Sequence, residues 1–194
     1  MKKISVVTPC FNEEENIKKL VLKVREIFKS KLQNYTFEHI IIDNNSTDNS
    51  QEILLSLAKE YEEVKIIINT RNFGHILSPH HARLQAKGDA IINLACDLQD
   101  PPELIFDFVK AWEKGNKLVL GIKEKESNEK FIIKSLRNLF YKFIQKISEV
   151  EMYNNFSSYC LIDKCINEDI KKINDKYPYF RGLLSNLGYK AFKI

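Results

Sequence analysis

The sequence predicts an α/β fold, a mostly parallel sheet flanked by helices. Three observations predict it. Short β-branched runs alternate with amphipathic helical stretches through the first 122 residues, the pattern of successive βαβ units. Polar clusters follow Pro9, Ile42, Ile68 and Ala95, at the carboxyl ends of the strands, where open parallel sheets place their functional loops. The chain has 194 residues, 44% of them hydrophobic and 11% aromatic, which is one domain's length with enough apolar side chains for a core.

Each element has its own signal. Lys3–Pro9 is a β-branched run that ends at a proline, and it predicts the first strand. Glu13–Lys29 carries Ile17, Leu20, Val21, Val24, Ile27 and Phe28, the i, i+3, i+4 stripe of a helix. His39–Ile42 predicts a strand, and Gln51–Tyr61 a helix with Ile53, Leu54, Leu57 and Ala58 inward. Val64–Ile68 predicts a third strand, Ser78–Lys87 a helix closing at Gly88, and Ala90–Ala95 a fourth strand. Pro101 and Pro102 suit the first turn of a helix that runs through Trp112, and Lys117–Ile122 is a fifth strand. Beyond it the character changes. Lys123–Glu129 is a charged linker, and 130–148 reads as a long helix with five basic residues and no acid between them. Asn154–Ile162 is irregular or extended, Asp163–Lys172 a short helix, Tyr177–Gly188 helical, and Tyr189–Ile194 the start of another strand. The expected organisation is a single domain, 1–194. Its parts are 1–122 and a helical part over 123–194.

Composition excludes several classes. Six glycines and five prolines exclude collagen and most low-complexity chains. The longest apolar runs are short, far below the ~18 residues of a membrane span, and no apolar segment of a signal peptide follows Met1. A formal charge of +4 is too mild to argue for a nucleic-acid partner. The four cysteines, at 10, 96, 160 and 165, show no metal or redox spacing and read as reduced cytoplasmic thiols.

Three strand ends carry chemistry. Thr8–Asn16 turns from a strand into a run of acids, which suits a helix start with Asn12 as N-cap. Asp43 closes a buried strand, and a carboxylate there can accept hydrogen bonds from a base or ribose. An Asx turn capped by Ser46, Thr47 or Asp48 explains the same residues. Asp97 and Asp100 are two carboxylates at a strand end that can hold a hard divalent cation against phosphates, although Asp100 also suits an N-cap before Pro101. His75, His80 and His81 lack ligand spacing and read as polar surface or capping residues.

Together these segments resemble the family 2 glycosyltransferases of the GT-A fold, in particular the branch of dolichyl-phosphate mannose synthases and bacterial polyprenyl-phosphate glycosyltransferases. The segments that carry the likeness are VVTPCFNEEENI (Val6–Ile17), IIDNNSTDNS (Ile41–Ser50), RNFGH (Arg71–His75), KGDAIINLACDLQDPPELI (Lys87–Ile105) and YFRGLLSNLGY (Tyr179–Tyr189). They run in family order over nearly the whole chain.

The resemblance implies sugar transfer from a nucleotide-sugar donor, a UDP-sugar above others, to a polyprenyl phosphate or a surface glycan, with inversion. It implies Mg²⁺ or Mn²⁺ as cofactor. Pro9, Phe11 and Glu13 match positions lining the nucleotide pocket, Asp43 the acid that contacts the base, Asn45 its neighbour in that turn, and Arg71 and Asn72 the bordering loop. Asp97 matches the last acid of the DxD element and is the expected metal ligand. Asp100 stands beside it, and Arg181 matches a position near the acceptor. Lys134, Arg137, Lys142 and Lys146, on the basic helix, are the expected acceptor and membrane side, at the cytoplasmic face. Relatives in this branch continue past the point matching Ile194, so the chain reads as the donor-binding core of a longer protein.

Departures leave two readings open. The first acid of DxD is replaced by Ala95, the second acid of the usual DDGS by Asn44, and the segment Asn154–Tyr159 has no carboxylate to serve as base. A phosphate acceptor is already an anion and needs little help from a base. The same losses fit a catalytically weak or inactive sugar-nucleotide-binding or scaffold protein.

Overall fold

The computed structural model describes residues 1–122, 153 and 156–194. The charged linker, the basic helix with Lys134, Arg137, Lys142 and Lys146, and residues 154 and 155 lie outside the described residues. The strands are β1 (Lys2–Cys10), β2 (Tyr35–Asp43), β3 (Val64–Ile68), β4 (Ala90–Asn93), β5 (Leu118–Ile122), β6 (Phe156–Asp163) and β7 (Ala191–Lys193). The helices are α1 (Ile17–Lys31), α2 (Ser50–Glu60), α3 (Gly74–Gln85), α4 (Leu104–Glu113), α5 (Lys164–Ile173) and α6 (Phe180–Asn186).

The seven strands form one sheet in the order β3-β2-β1-β4-β6-β5-β7. β1 pairs in parallel with β2 and β4, β2 with β3, and β5 with β7, while β6 runs antiparallel between β4 and β5. The expected mostly parallel α/β sheet is present. Because side chains alternate across a strand, β1 sends Ile4 and Val6 to one face and Val7 to the other. The first face is covered by α1, α2 and α4, the second by α3, α5 and α6. The α1 stripe is buried in full, and each of its six apolar side chains contributes roughly 1.5–3 kcal/mol relative to exposure.

The order of the first four strands positions the site. From β1 the chain builds outward through β2 and β3, then returns so that β4 lies on the other side of β1. That reversal opens a crevice between β1 and β4 at their carboxyl ends, where α/β sheets take ligands. The opposite end is closed by a polar network. Glu38 is buried and accepts from Lys3 Nζ (2.8 Å), Ser5 Oγ (2.6 Å) and the Lys87 amide (2.9 Å), and it pairs with Lys65. Burial alone pushes its carboxyl up, but these donors outweigh burial and hold it at about 2.

Three expectations change. The 123–194 part is not simply helical. It contributes β6 to the interior of the sheet and β7 beyond β5, because Phe156 and Tyr159–Ile162 form an apolar run buried on both faces. Helix α1 starts at Ile17 rather than Glu13, and Asn12, at φ +55°, is not its cap. Helix α4 starts at Leu104, so Asp100 is not its N-cap either.

Candidate active site

The loops after β1 and β2 are zipped together. Asn12 donates its amide to Ser46 Oγ (2.9 Å) and accepts the Thr47 amide on Oδ1 (2.8 Å). Glu13 N–H reaches Ser50 Oγ (2.9 Å), and Glu14 Oε2 accepts both the amide and the side chain of Asn49 (2.9 and 2.8 Å). Glu14 therefore serves the neighbouring loop rather than the helix dipole. Left-handed backbone at Asn12 (φ +55°) and Asn45 (φ +64°) turns both loops, at the residue type that tolerates it best after glycine.

Asp43 ends β2 at the crevice but is fully buried, and both carboxylate oxygens are engaged within its own turn. Oδ1 accepts from Ser46 Oγ (2.5 Å), while Oδ2 accepts from the Ser46 amide (3.1 Å) and Gln51 Nε2 (2.8 Å). Both readings of this acid, turn former and crevice acid, are therefore consistent with its placement. Asn44 ties this turn to the loop after β3. Its Oδ1 accepts from Asn69 Nδ2 (3.0 Å) and the Phe73 amide (2.9 Å), while its Nδ2 donates to Asn72 Oδ1 (2.8 Å). An amide serves here as donor and acceptor at once, which a carboxylate cannot. Arg71 is exposed, with its guanidinium 4.0 Å from the Phe73 ring centroid.

After β4 the chain passes through Ala95 and Cys96 to Asp97. Asp97 Oδ1 accepts only the Gln99 amide (3.1 Å), and Leu98 sits between them at φ +57°. Cys96 lies against the Cys10 thiol, which with burial and the charges of Glu13 and Asp97 pushes its own thiol far up. Among the described residues no group of three or more His, Cys, Asp or Glu side chains converges on a point. One carboxylate with a neighbouring amide still suits a hard cation, because Mg²⁺ is bound by one or two carboxylates together with substrate phosphates. Asp97 supplies one such carboxylate.

Two joined cavities occupy the crevice. The larger, about 410 Å³, lies over the β1 and β3 loops and is lined by Pro9, Phe11, Glu13, Asn44 and Asn72. The smaller, about 280 Å³, shares Pro9, His75 and Pro79 with it and reaches under β4 to Asp100 and Arg181. Asp100 is buried, 3.5 Å from Ser157 Oγ, and Arg181 donates to the Phe156 carbonyl (3.0 Å). The fold therefore gathers Pro9, Phe11, Glu13 and Asn72 about one cavity and Asp100 and Arg181 about the other. Asp43 and Asn45 support the first from its turn, while Asp97, in the loop after β4, lines neither cavity. Sequence reasoning missed Arg83, which lines the smaller cavity from α3. Its signal was present, an arginine on the buried face of a helix beside Ala82.

The profile of the family described as Glycosyl transferase family 2 matches residues 5–171. The chain belongs to glycosyl transferase family 2. Among its relatives is the uncharacterized glycosyltransferase YkcC of Bacillus subtilis, 32% identical over 190 residues, 98% of this chain and 58% of that protein. The prophage bactoprenol glucosyl transferase homolog of Escherichia coli is 34% identical over 189 residues, 97% of this chain and 61% of that protein. The chain thus spans about three fifths of the length of these relatives. Solved family structures share the GT-A fold. The mannosyltransferase PcManGT of Pyrobaculum calidifontis, in complex with GDP-Man and Mn²⁺, superposes with a TM-score of 0.66 at 14% identity, over 100% of this chain and 55% of that one. TarS 1-349 of S. aureus, in complex with UDP, gives 0.60 at 16% identity, over 99% and 60%.

Proposed function

We propose that this family 2 glycosyltransferase domain binds a uridine-diphosphate sugar in the β1–β4 crevice and transfers its sugar, with inversion, to a polyprenyl phosphate. The observation that carries the reading is the arrangement at the sheet's reversal point. There a nucleotide-sized cavity lined by Pro9, Phe11, Glu13 and Asn72 shares Pro9, His75 and Pro79 with a second cavity that holds Asp100 and Arg181. The relatives support it: some are named bactoprenol glucosyl transferases, and TarS was solved with UDP.

Each residue then has a task. Phe11 and Pro9 flank the base, Asp43 holds the turn that faces it, and Asn72 with Arg71 closes the far side. Asp97 would hold Mg²⁺ or Mn²⁺, which would supply positive charge to offset the charge that develops on the leaving diphosphate. Arg181 orients the acceptor anion, and Asp100 lines the wall opposite. Ser157 and Ser158, which line the smaller cavity, bring no carboxylate base, in keeping with an acceptor that arrives ionised. Such an acceptor puts this work at the cytoplasmic face of a membrane.

Calorimetry with UDP and GDP, with and without Mn²⁺, tests the reading. UDP binding strengthened by Mn²⁺ is expected, and absence of any nucleotide binding sinks it. Ala95 and the lone Asp97 favour a second reading, a catalytically weak sugar-nucleotide binder. Sugar transfer above the level of an Asp97→Ala control excludes that one.

A further inference from the structure

Arg83 is the least expected group in the molecule. It is 3% exposed, on α3, beneath the smaller cavity that it lines. Its Nε donates to Asn93 Oδ1 (3.0 Å), its guanidinium stacks 3.6 Å from the Phe180 ring centroid, and its Nη1 lies 3.5 Å from His80 Nδ1. No carboxylate among the described residues lies within ion-pair distance of it. Burial lowers it to about 10, so it stays charged at neutral pH.

A buried cation without a counter-ion is costly. Elsewhere the fold avoids that cost: buried Glu38 is met by Lys3 and Lys65. For Arg83 the amide of Asn93 and the face of Phe180 offset only part of it. What remains is a planar fork of N–H donors facing a cavity that also holds the cation of Arg181. Ala95, in the same wall, brings no acid, and the acid that does line the cavity, Asp100, lies 3.5 Å from Ser157 Oγ. The cavity is about 280 Å³, near the small end of ligand pockets at ~300–1,000 Å³. It shares Pro9, His75 and Pro79 with the larger cavity, and Ala95 stands two residues before Asp97. A donor with its nucleoside in the larger cavity and its diphosphate at Asp97 directs its sugar here.

We propose that Arg83 reads a carboxylate on the transferred sugar, so that the preferred donor carries a uronic acid or another acidic sugar. The proposal rests on the nucleotide-sugar reading above. The counter-ion that Arg83 lacks among the described residues arrives with the substrate.

The test is calorimetry on the unmodified chain with Mn²⁺. UDP, UDP-glucuronate and UDP-galacturonate are compared with UDP-glucose and UDP-galactose. At least one uronate is expected to bind tenfold or more tighter than its neutral counterpart. Arg83→Gln is expected to erase that advantage and keep UDP binding, and Arg83→Lys to keep part of it. Equal affinity of acidic and neutral donors in the unmodified chain overturns the proposal, whatever the variants do. A loss on Arg83→Gln for a short-chain polyprenyl phosphate, with uronate affinity unchanged, also overturns it and gives the anion to the acceptor. Absence of UDP binding removes the nucleotide-sugar reading itself, and this one with it.

Discussion

At Leu98 the backbone takes φ +57°, a conformation that costs a side chain with a Cβ about 1 kcal/mol or more. The turn this allows brings the Gln99 amide onto Asp97 Oδ1 and leaves the other carboxylate oxygen without a described partner. Asp97→Ala is expected to abolish the Mn²⁺-dependent part of donor affinity and to cut transfer by about 10²-fold or more, measured by calorimetry and by product formation. A variant as active as the parent would remove Asp97 from the mechanism. Asn44 makes a different kind of contribution. Asn44→Ala leaves the Phe73 amide and the Asn69 side chain without their acceptor, and a loss of about 1–3 kcal/mol in urea unfolding is expected. Nucleotide affinity is expected to weaken in parallel, because the Asn72 loop loses its anchor.

Among the elements, β1 and β4 decide where the site lies, and Gly88 decides how closely they approach. A Cβ at Gly88 would stand 2.6 Å from the Ser5 amide nitrogen and 2.8 Å from Ser5 Oγ, so only glycine fits. Gly88→Ala is expected to cost about 1–3 kcal/mol by overpacking, read as a lower urea midpoint with an unchanged slope. The central strands were legible because β-branched runs alternate with amphipathic helices. Strand β6 was not: Phe156–Asp163 lacks a hairpin signal, and its antiparallel place between β4 and β5 is set by partners far away in sequence. The start of α1 was misjudged for a related reason. Glu13 and Glu14 suit a first helical turn, but the loop after β2 competes for their backbone and side chains and wins. The crevice residues were legible as polar clusters at strand ends. Arg83 was passed over although it sits beside Ala82 on the face of α3 that the fold buries, because a single arginine in a helix most often marks its solvent side.

For the whole molecule, acid stability follows from buried groups that bind protons only when unfolded. Burial holds His39 at about 3 against an ordinary 6.5, with Thr8 Oγ1 2.9 Å from its Nε2. A depressed histidine contributes stability above 6.5 that is lost as pH falls toward 3, with a slope approaching about 1.4 kcal/mol per pH unit. Burial, then the Arg83 charge, also holds His80 down, to about 4, so it acts in the same window. Glu38 adds its loss only below 4.5. Unfolding followed between pH 7 and 4.5 is expected to show a slope at least as steep as one such group gives, and His39→Gln to reduce it by up to about 1.4 kcal/mol per pH unit, leaving the part His80 contributes. The basic helix lies outside the described residues, and the sequence alone supports its expected role. Changing Lys134, Arg137, Lys142 and Lys146 to Glu is expected to reduce flotation with anionic liposomes. Undiminished flotation removes that membrane contact.

One measurement bears most directly on the central claim, a nucleotide diphosphate held in the β1–β4 crevice with its diphosphate at Asp97. It is calorimetric titration of the chain with UDP in the presence and absence of Mn²⁺, repeated for Asp97→Ala. The account predicts binding that Mn²⁺ strengthens in the parent and no longer strengthens in the variant. No binding of UDP or GDP under either condition, or an Mn²⁺ effect that survives without Asp97, would contradict it.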